Sequence, residues 1–328
     1  MKKILVIRFS SIGDIVLTSP VPRCLKLQSG AEVHFLTKKE YAPLVANNPY
    51  VDKVFTIEDK VSEVVTALKQ ENYDFVVDLH NNIRSRSVKR KLGKPSETLN
   101  KLNIRKWLLV NFKRNRMPDV HVAERYLVTL KKLGVKDDGK GLDFFIPPVE
   151  EVDVNAMPQL RKGYIGFAIG AQHATKRLPS EKIISLCRKM DETIVLLGGK
   201  EDRAVAEKIC KELPGRVINA CGKYSLLQSA SLVRQAKKII THDTGMMHVA
   251  AAFGKEIISV WGNTVPAFGM YPYRSGHGGK GAGVMVEVKD LSCRPCSKIG
   301  FNKCPKGHFK CMNLIDEDVI VNAVRTPF

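Results

Sequence analysis

Two successive series of short apolar runs, each run followed by a longer segment of helical spacing, constrain this chain more than any other feature. In the first series, residues 3–8, 32–37, 53–57 and 74–79 read as strands; a polar turn at 10–14 leads into a helical segment to about Leu27, and 61–70 has helical spacing. Residues 120–133 form a further helical segment, closed by Gly134. The second series places strands at 164–168, 193–197, 216–219, 238–241 and 256–261, with helices at 180–190, 202–213, 225–236 and 246–253 between and around them. Short apolar strands alternating with helices build a parallel sheet covered on both faces. Two such series predict an α/β chain of two doubly wound, Rossmann-like domains facing across a cleft. The length of 328 residues suits two cores better than one. A proline-rich, acidic stretch at 147–160 reads as the linker, giving expected domains of 1–150 and 160–328.

Ligands of such sheets bind beyond the carboxyl ends of the strands, and four segments there carry chemistry. Phe9-Ser-Ser-Ile-Gly-Asp14 follows the first strand. Gly13 permits a tight turn, and Asp14 can act as a base toward a hydroxyl; Ser10, Ser11 or Asp14 can equally be helix caps. The segment from Gly166 to Pro179 holds small residues and then Thr175-Lys176-Arg177, suited to phosphate, although it lacks Walker spacing. Gly198-Gly-Lys-Glu-Asp202 offers an acid for ribose hydroxyls, or merely an acidic helix start. Thr241-His-Asp-Thr-Gly-Met-Met-His248 places a carboxylate, a hydroxyl and free N–H groups at a helix N-terminus, a ready diphosphate site. A capping residue with a packed histidine is its plainer reading.

In this order, and together with Ser259-Val-Trp-Gly262 and a Cys-x2-Cys…Gly-His…Cys tail, these segments resemble glycosyltransferase family 9, the ADP-heptose:lipopolysaccharide heptosyltransferases. The resemblance spans nearly the whole chain. It implies a GT-B fold with an acceptor-binding N-terminal domain and a C-terminal domain that binds the nucleotide sugar. It implies inverting transfer of a heptose or related sugar, from a donor expected to be ADP-heptose, to the inner core or lipid A region of lipopolysaccharide. Asp14 would be the general base and Lys176 would hold phosphate. Thr175, Glu201, Asp243, Thr244, Gly245 and His248 would line the donor. Ser11, Gly13, Arg84, His121 and Arg125 would face the acceptor. The loop after Gly262 departs from the family pattern, reading Asn-Thr-Val-Pro where Pro-Thr-Asp-Pro is common. A sugar-nucleotide epimerase of the same fold is the nearest alternative.

Charge enters at this point. The net charge is +20, and between Arg84 and Arg116 the basic residues Arg84, Arg86, Lys89, Arg90, Lys91, Lys94, Lys101, Arg105, Lys106, Lys113, Arg114 and Arg116 face one acid, Glu97. Such a field suits a polyanion: a phosphorylated glycan, anionic lipid or nucleic acid. No helix-turn-helix, RNP or zinc-finger pattern accompanies it, so a nucleic-acid partner is not expected. A lipopolysaccharide-type acceptor and peripheral contact with the inner leaflet both fit. The longest apolar runs, such as 4–7 and 194–197, fall far short of the roughly 20 residues of a membrane span. Neither a signal nor a transit peptide is readable, which predicts a cytoplasmic location.

No cofactor is expected to be required by this chemistry. Cys293, Cys296, Cys304 and Cys311 could close a structural zinc site, with the first pair at knuckle spacing. Free thiols or redox-sensitive pairs are the other reading.

Overall fold

The computed structural model describes residues 2–275 and 283–326. In chain order its strands and α-helices are β1 (Lys3–Ile7), α1 (Ile12–Leu17), α2 (Pro20–Ser29), β2 (Glu32–Lys38), α3 (Pro43–Ala46), β3 (Lys53–Ile57), α4 (Val65–Gln70), β4 (Phe75–Asp78), α5 (Ile83–Leu92), β5 (Ser96–Thr98), α6 (Asn103–Phe112) and α7 (Val122–Leu127). There follow β6 (Ile165–Ala168), α8 (Ser180–Lys189), β7 (Ile194–Leu197), α9 (Arg203–Glu212), β8 (Val217–Asn219), α10 (Leu226–Gln235), β9 (Lys238–His242), α11 (Gly245–Ala252), β10 (Glu256–Trp261), β11 (Gly283–Glu287), α12 (Lys310–Asn313) and α13 (Glu317–Arg325). None of the described helices is long and apolar enough to cross a membrane.

The chain forms two compact units. One comprises residues 1–101 and 120–147, the other 102–119 and 148–328. The first holds a five-stranded parallel sheet of order β3-β2-β1-β4-β5. The second holds a six-stranded parallel sheet of order β11-β10-β9-β6-β7-β8. Strands in the middle of such sheets are covered on both faces, which is why Ile4–Ile7 and Ile194–Leu197 are unbroken apolar runs, each residue at most 1% exposed.

Most elements follow the sequence reading, with four differences. The helix expected after a polar turn at 10–14 and running to about Leu27 starts earlier, at Ile12, is broken at Thr18 and Ser19, and restarts at Pro20, whose missing N–H costs nothing in a first turn. Residues 128–133 tighten to a 3-10 helix before Gly134, at φ 73°. The short strands β5 and β11 were not read from the sequence. Residues 102–119 belong with the second unit although they interrupt the sequence of the first; at their centre the Lys113 ammonium donates to the Pro295 carbonyl at 2.7 Å.

Chain reversal in the strand order fixes where each unit can bind a ligand. In the first sheet the chain runs outward from β1 through β2 to β3, then returns to lay β4 on the other side of β1. In the second, β7 and β8 lie on one side of β6 while β9, β10 and β11 lie on the other. Successive connections therefore diverge at β1/β4 and at β6/β9, leaving a crevice at the carboxyl ends of those strands.

Candidate active site

At the β1/β4 switch point, the residue after β1 is Arg8, 6% exposed. Its guanidinium crosses to β4 by donating to the Leu79 carbonyl at 2.6 Å and turns back to the Ser10 carbonyl at 2.6 Å. The remaining nitrogen meets the Asp14 carboxylate at 2.6 Å. Burial alone would lower the Arg8 pKa; the Asp14 carboxylate, with Tyr126 and Asp78, outweighs it and leaves the guanidinium above its ordinary value. Asp14 is also bonded by the Ser11 hydroxyl at 3.2 Å and by the Tyr126 hydroxyl, from α7, at 3.2 Å. Tyr126 is pushed well up by burial, with Asp14 adding to the rise. It therefore stays a neutral donor. Asp14 is thus a carboxylate held by a cation and two hydroxyls, with its side chain still 24% exposed.

The neighbouring groups share this edge. His80, after β4, packs edge-on to Phe9 and is pushed down to about 3, by burial first and then by Arg8 and Lys101. A neutral imidazole follows. His121 caps α7, its Nδ1 accepting from Ala123 N–H at 3.1 Å, and is fully buried. Arg125, one residue before Tyr126, is half-buried, and burial lowers its pKa. Gly13 lies buried inside α1. Arg84 instead pairs with exposed Asp59 at 3.6 Å in the first turn of α5. Of the expected acceptor residues, Ser11 is thus hydrogen-bonded to Asp14. Arg8 and Tyr126, which complete the cluster, were not singled out from the sequence; a lone arginine ending an apolar strand was the available signal.

At the β6/β9 switch point, the loop after β6 carries Lys176 and the turn after β9 carries Asp243. The Lys176 ammonium donates to the Asp243 carboxylate at 2.6 Å and to its carbonyl at 3.2 Å. Thr264, after β10, donates to the same carboxylate oxygen at 2.8 Å. Three adjacent strands thus deliver one network. Thr244 is the N-cap residue of α11 and makes no side-chain capping bond; Gly245 opens the helix. His248 lies one turn in, 2% exposed. The α11 N-terminus supplies N–H groups and a positive dipole end to any anion seated there.

The loop before Lys176 is fixed from several sides. Leu178 N–H donates to His242 Nε2 at 3.0 Å, and His242 is pushed down to about 3 by burial and then by Arg177. Thr175 is a strap to the tail: its hydroxyl accepts from Phe301 N–H at 2.8 Å and faces the Phe301 carbonyl at 3.1 Å. A Cβ at Gly262 would stand 2.7 Å from the Thr175 carbonyl, so the chain can pass there only as glycine.

Glu201 is exposed and folds back so that a Cβ on Gly199 would lie 2.3 Å from its carboxylate. Its neighbour Asp202 is the buried acid of that turn, 4% exposed. It accepts from Gly199 N–H at 3.0 Å and pairs with Arg177 at 3.1 Å. Burial raises its pKa, against the lowering from the Gly199 N–H and Arg177. Sequence reasoning fixed on Glu201 and passed over Asp202. Asn263, which the sequence showed only as a departure from the family pattern, is 1% exposed, and its amide oxygen and nitrogen both lack a hydrogen bond within the described residues. A buried amide left without partners is costly, and a polar ligand would relieve it.

The metal donors are arranged differently from expectation. Among the described residues, the only three His, Cys, Asp or Glu donor atoms within 4.8 Å of one another belong to Glu32, His34 and Glu71. Lys3 already occupies that corner, 3.3 Å from Glu32 and 2.7 Å from Glu71, and Lys53 lies 2.5 Å from Glu71. None of the four tail cysteines is in a disulfide. Cys296 donates to the Cys293 carbonyl at 3.0 Å, and Cys293 Sγ lies 3.8 Å from His308 Nε2. Burial and then Cys293 push Cys296 up to about 11; Cys311 is likewise pushed up to about 11, by burial and then Cys296. The thiols are neighbours but are not gathered around one point.

Comparison with known proteins gives a consistent picture. Residues 61–292 match the family described as glycosyltransferase family 9 (heptosyltransferase). Lipopolysaccharide heptosyltransferase 1 of Campylobacter coli is 25% identical over 289 residues, covering 80% of this chain and 84% of that protein. The solved structure of a family 9 glycosyltransferase from Veillonella parvula superposes with a TM-score of 0.79 at 23% identity, covering 99% of this chain and 96% of the other. That of Escherichia coli ADP-heptose lipopolysaccharide heptosyltransferase II gives 0.72 at 21%, covering 99% and 98%. The fold is GT-B.

Proposed function

The chain belongs to glycosyltransferase family 9, and from that premise we propose that it transfers a heptose from ADP-heptose, with inversion, onto the phosphorylated inner core or lipid A region of lipopolysaccharide. The first unit binds the acceptor and the second the nucleotide sugar. The observation that carries this reading is the Lys176–Asp243–Thr264 network beside the N-terminus of α11, at the switch point of the second sheet.

Asp14 takes the proton of the attacking acceptor hydroxyl, held in place by Arg8 and Tyr126. Ser11, His121, Arg125 and, on the exposed rim, Arg84 serve the acceptor, where positive charge suits a phosphorylated sugar. Lys176 and the N–H groups at Thr244 and Gly245 stabilise the departing diphosphate. Glu201 accepts the ribose hydroxyls, His248 lines the sugar pocket, and Thr175 holds the phosphate loop. Asn263 takes the place of the family's usual proline and gives its free amide to the donor. The protein works in the cytoplasm and touches the inner leaflet peripherally. A thermal-shift series with ADP-, UDP-, GDP- and CMP-sugars tests the donor. ADP-heptose is expected to raise the midpoint most; a larger shift with a UDP-sugar and none with ADP-heptose would remove the assignment.

The reaction needs no metal. Cys293, Cys296, Cys304 and Cys311 are proposed as a structural zinc set on their spacing and on the closeness of Cys293, Cys296 and His308. Closing it requires the sulfurs to converge and ionise, which zinc binding drives. Protein purified without chelator should carry about one equivalent of zinc; less than about a tenth of that leaves the tail as free thiols.

A further inference from the structure

Helix α6 turns apolar residues outward. Leu109 is buried, and Leu108 and Val110 are half-buried, whereas Ile104, Trp107 and Phe112 are 77%, 55% and 57% exposed. Trp107 and Phe112 meet edge to face with centroids 5.2 Å apart, so the two rings form one raised apolar feature. Arg105, Arg114 and Arg116, on either side of it in sequence, are exposed, and no acid occurs between Asn103 and Pro118. The helix is firmly seated: Lys113, just past its end, donates to Val110, Cys293 and Pro295 carbonyls at 2.7, 3.3 and 2.7 Å.

An exposed indole and phenyl ring in a segment with exposed arginines and no acid match a phospholipid interface, where aromatic rings sit at headgroup level and cations meet phosphates. At ten residues the helix is far too short to span a bilayer and must lie along it. A second copy of this chain would instead bring two arginine-flanked faces together, which like charge opposes. We propose that the outer face of α6 docks on an anionic phospholipid bilayer, with Trp107, Phe112 and Ile104 in the interface and Arg105, Arg114 and Arg116 on lipid phosphates. This rests on the peripheral membrane contact proposed above and names the surface that makes it.

The chain has two tryptophans, and Trp261 is 1% exposed, so a change in indole emission on lipid reports Trp107. The full-length protein would be mixed with phosphatidylethanolamine–phosphatidylglycerol vesicles and with phosphatidylcholine vesicles, and both sedimentation and emission followed. The anionic vesicles alone should bind the protein and shift Trp107 emission to the blue. W107A/F112A, and separately R105E/R114E/R116E, should lower partitioning at least about tenfold, with turnover on a deacylated, soluble acceptor unchanged. Wild-type binding that survives in W107A/F112A would overturn the role of α6 while leaving peripheral contact standing. No wild-type binding would remove both. A dimer that W107A/F112A converts to monomer would assign the face to a second copy, and lost turnover on the soluble acceptor would assign it to the acceptor; either result overturns the proposal.

Discussion

Replacing Asp14 by asparagine is expected to lower transfer by about 10²–10⁴-fold while ADP-heptose binds with unchanged affinity. The substitution keeps the size of the side chain and an oxygen that can accept from Arg8 and Tyr126. It removes only the charge and the basicity. Arg8 retains its bonds to the Leu79 and Ser10 carbonyls, so the strand end and the fold persist. Donor binding is assigned to the other unit, which explains why affinity should be spared. Titration of ADP-heptose into the variant, a melting curve and a turnover measurement on one preparation separate these effects. Near-normal turnover would show that Asp14 is a helix-end residue and no base. Lost donor affinity with a normal melting curve would place Asp14 in the wrong half of the chemistry.

The second large effect is expected at Lys176. Lys176→Ala should cost about 10²–10³-fold in kcat, the scale seen when one donor to a developing anion is removed. Donor affinity should fall as well, for a reason peculiar to this site. Lys176 and Asp243 are 16% and 10% exposed, so removing the ammonium leaves a poorly solvated carboxylate where the diphosphate is proposed to sit. K176A/D243N should therefore bind ADP-heptose more tightly than K176A alone, although kcat stays low. The pair is in contact, so the two substitutions cannot be additive. Equal affinity for the single and double variants would mean that Asp243 does not face the phosphates.

The fold was legible because parallel strands buried on both faces leave continuous apolar runs. The boundaries of β3 and β10 agree with the sequence reading to the residue. Its failures have local causes. β5, at 96–98, has three half-buried polar residues and no apolar pattern. The break before Pro20 is a backbone effect that hydrophobic spacing does not register. Residues 102–119 were read with the first domain because chain order was the only guide; their allegiance to the second unit depends on tertiary bonds such as Lys113 to Pro295.

The site divides in the same way. Asp14, Lys176 and Asp243 follow strands in recognisable turns, so position and chemistry together mark them as candidates. Arg8 and Tyr126 reach Asp14 from a strand end and from a helix 112 residues further along, and nothing local marks that meeting. Glu201 and Asp202 are adjacent and chemically alike. Only burial distinguishes them, and burial depends on Gly170 and Gly198 leaving room: a Cβ at either would come within 3 Å of the Asp202 carboxylate. Asn263 was visible as a departure from the family pattern, but its unsatisfied amide appears only when its surroundings are known.

Heptosyl transfer itself is tested most directly by mass-spectrometric product analysis with ADP-heptose, in the presence and absence of a phosphorylated inner-core acceptor. ADP and an acceptor heavier by one heptose should form together, and only when both substrates are supplied. Donor consumed or epimerised equally fast without acceptor, with the acceptor mass unchanged, would contradict the account.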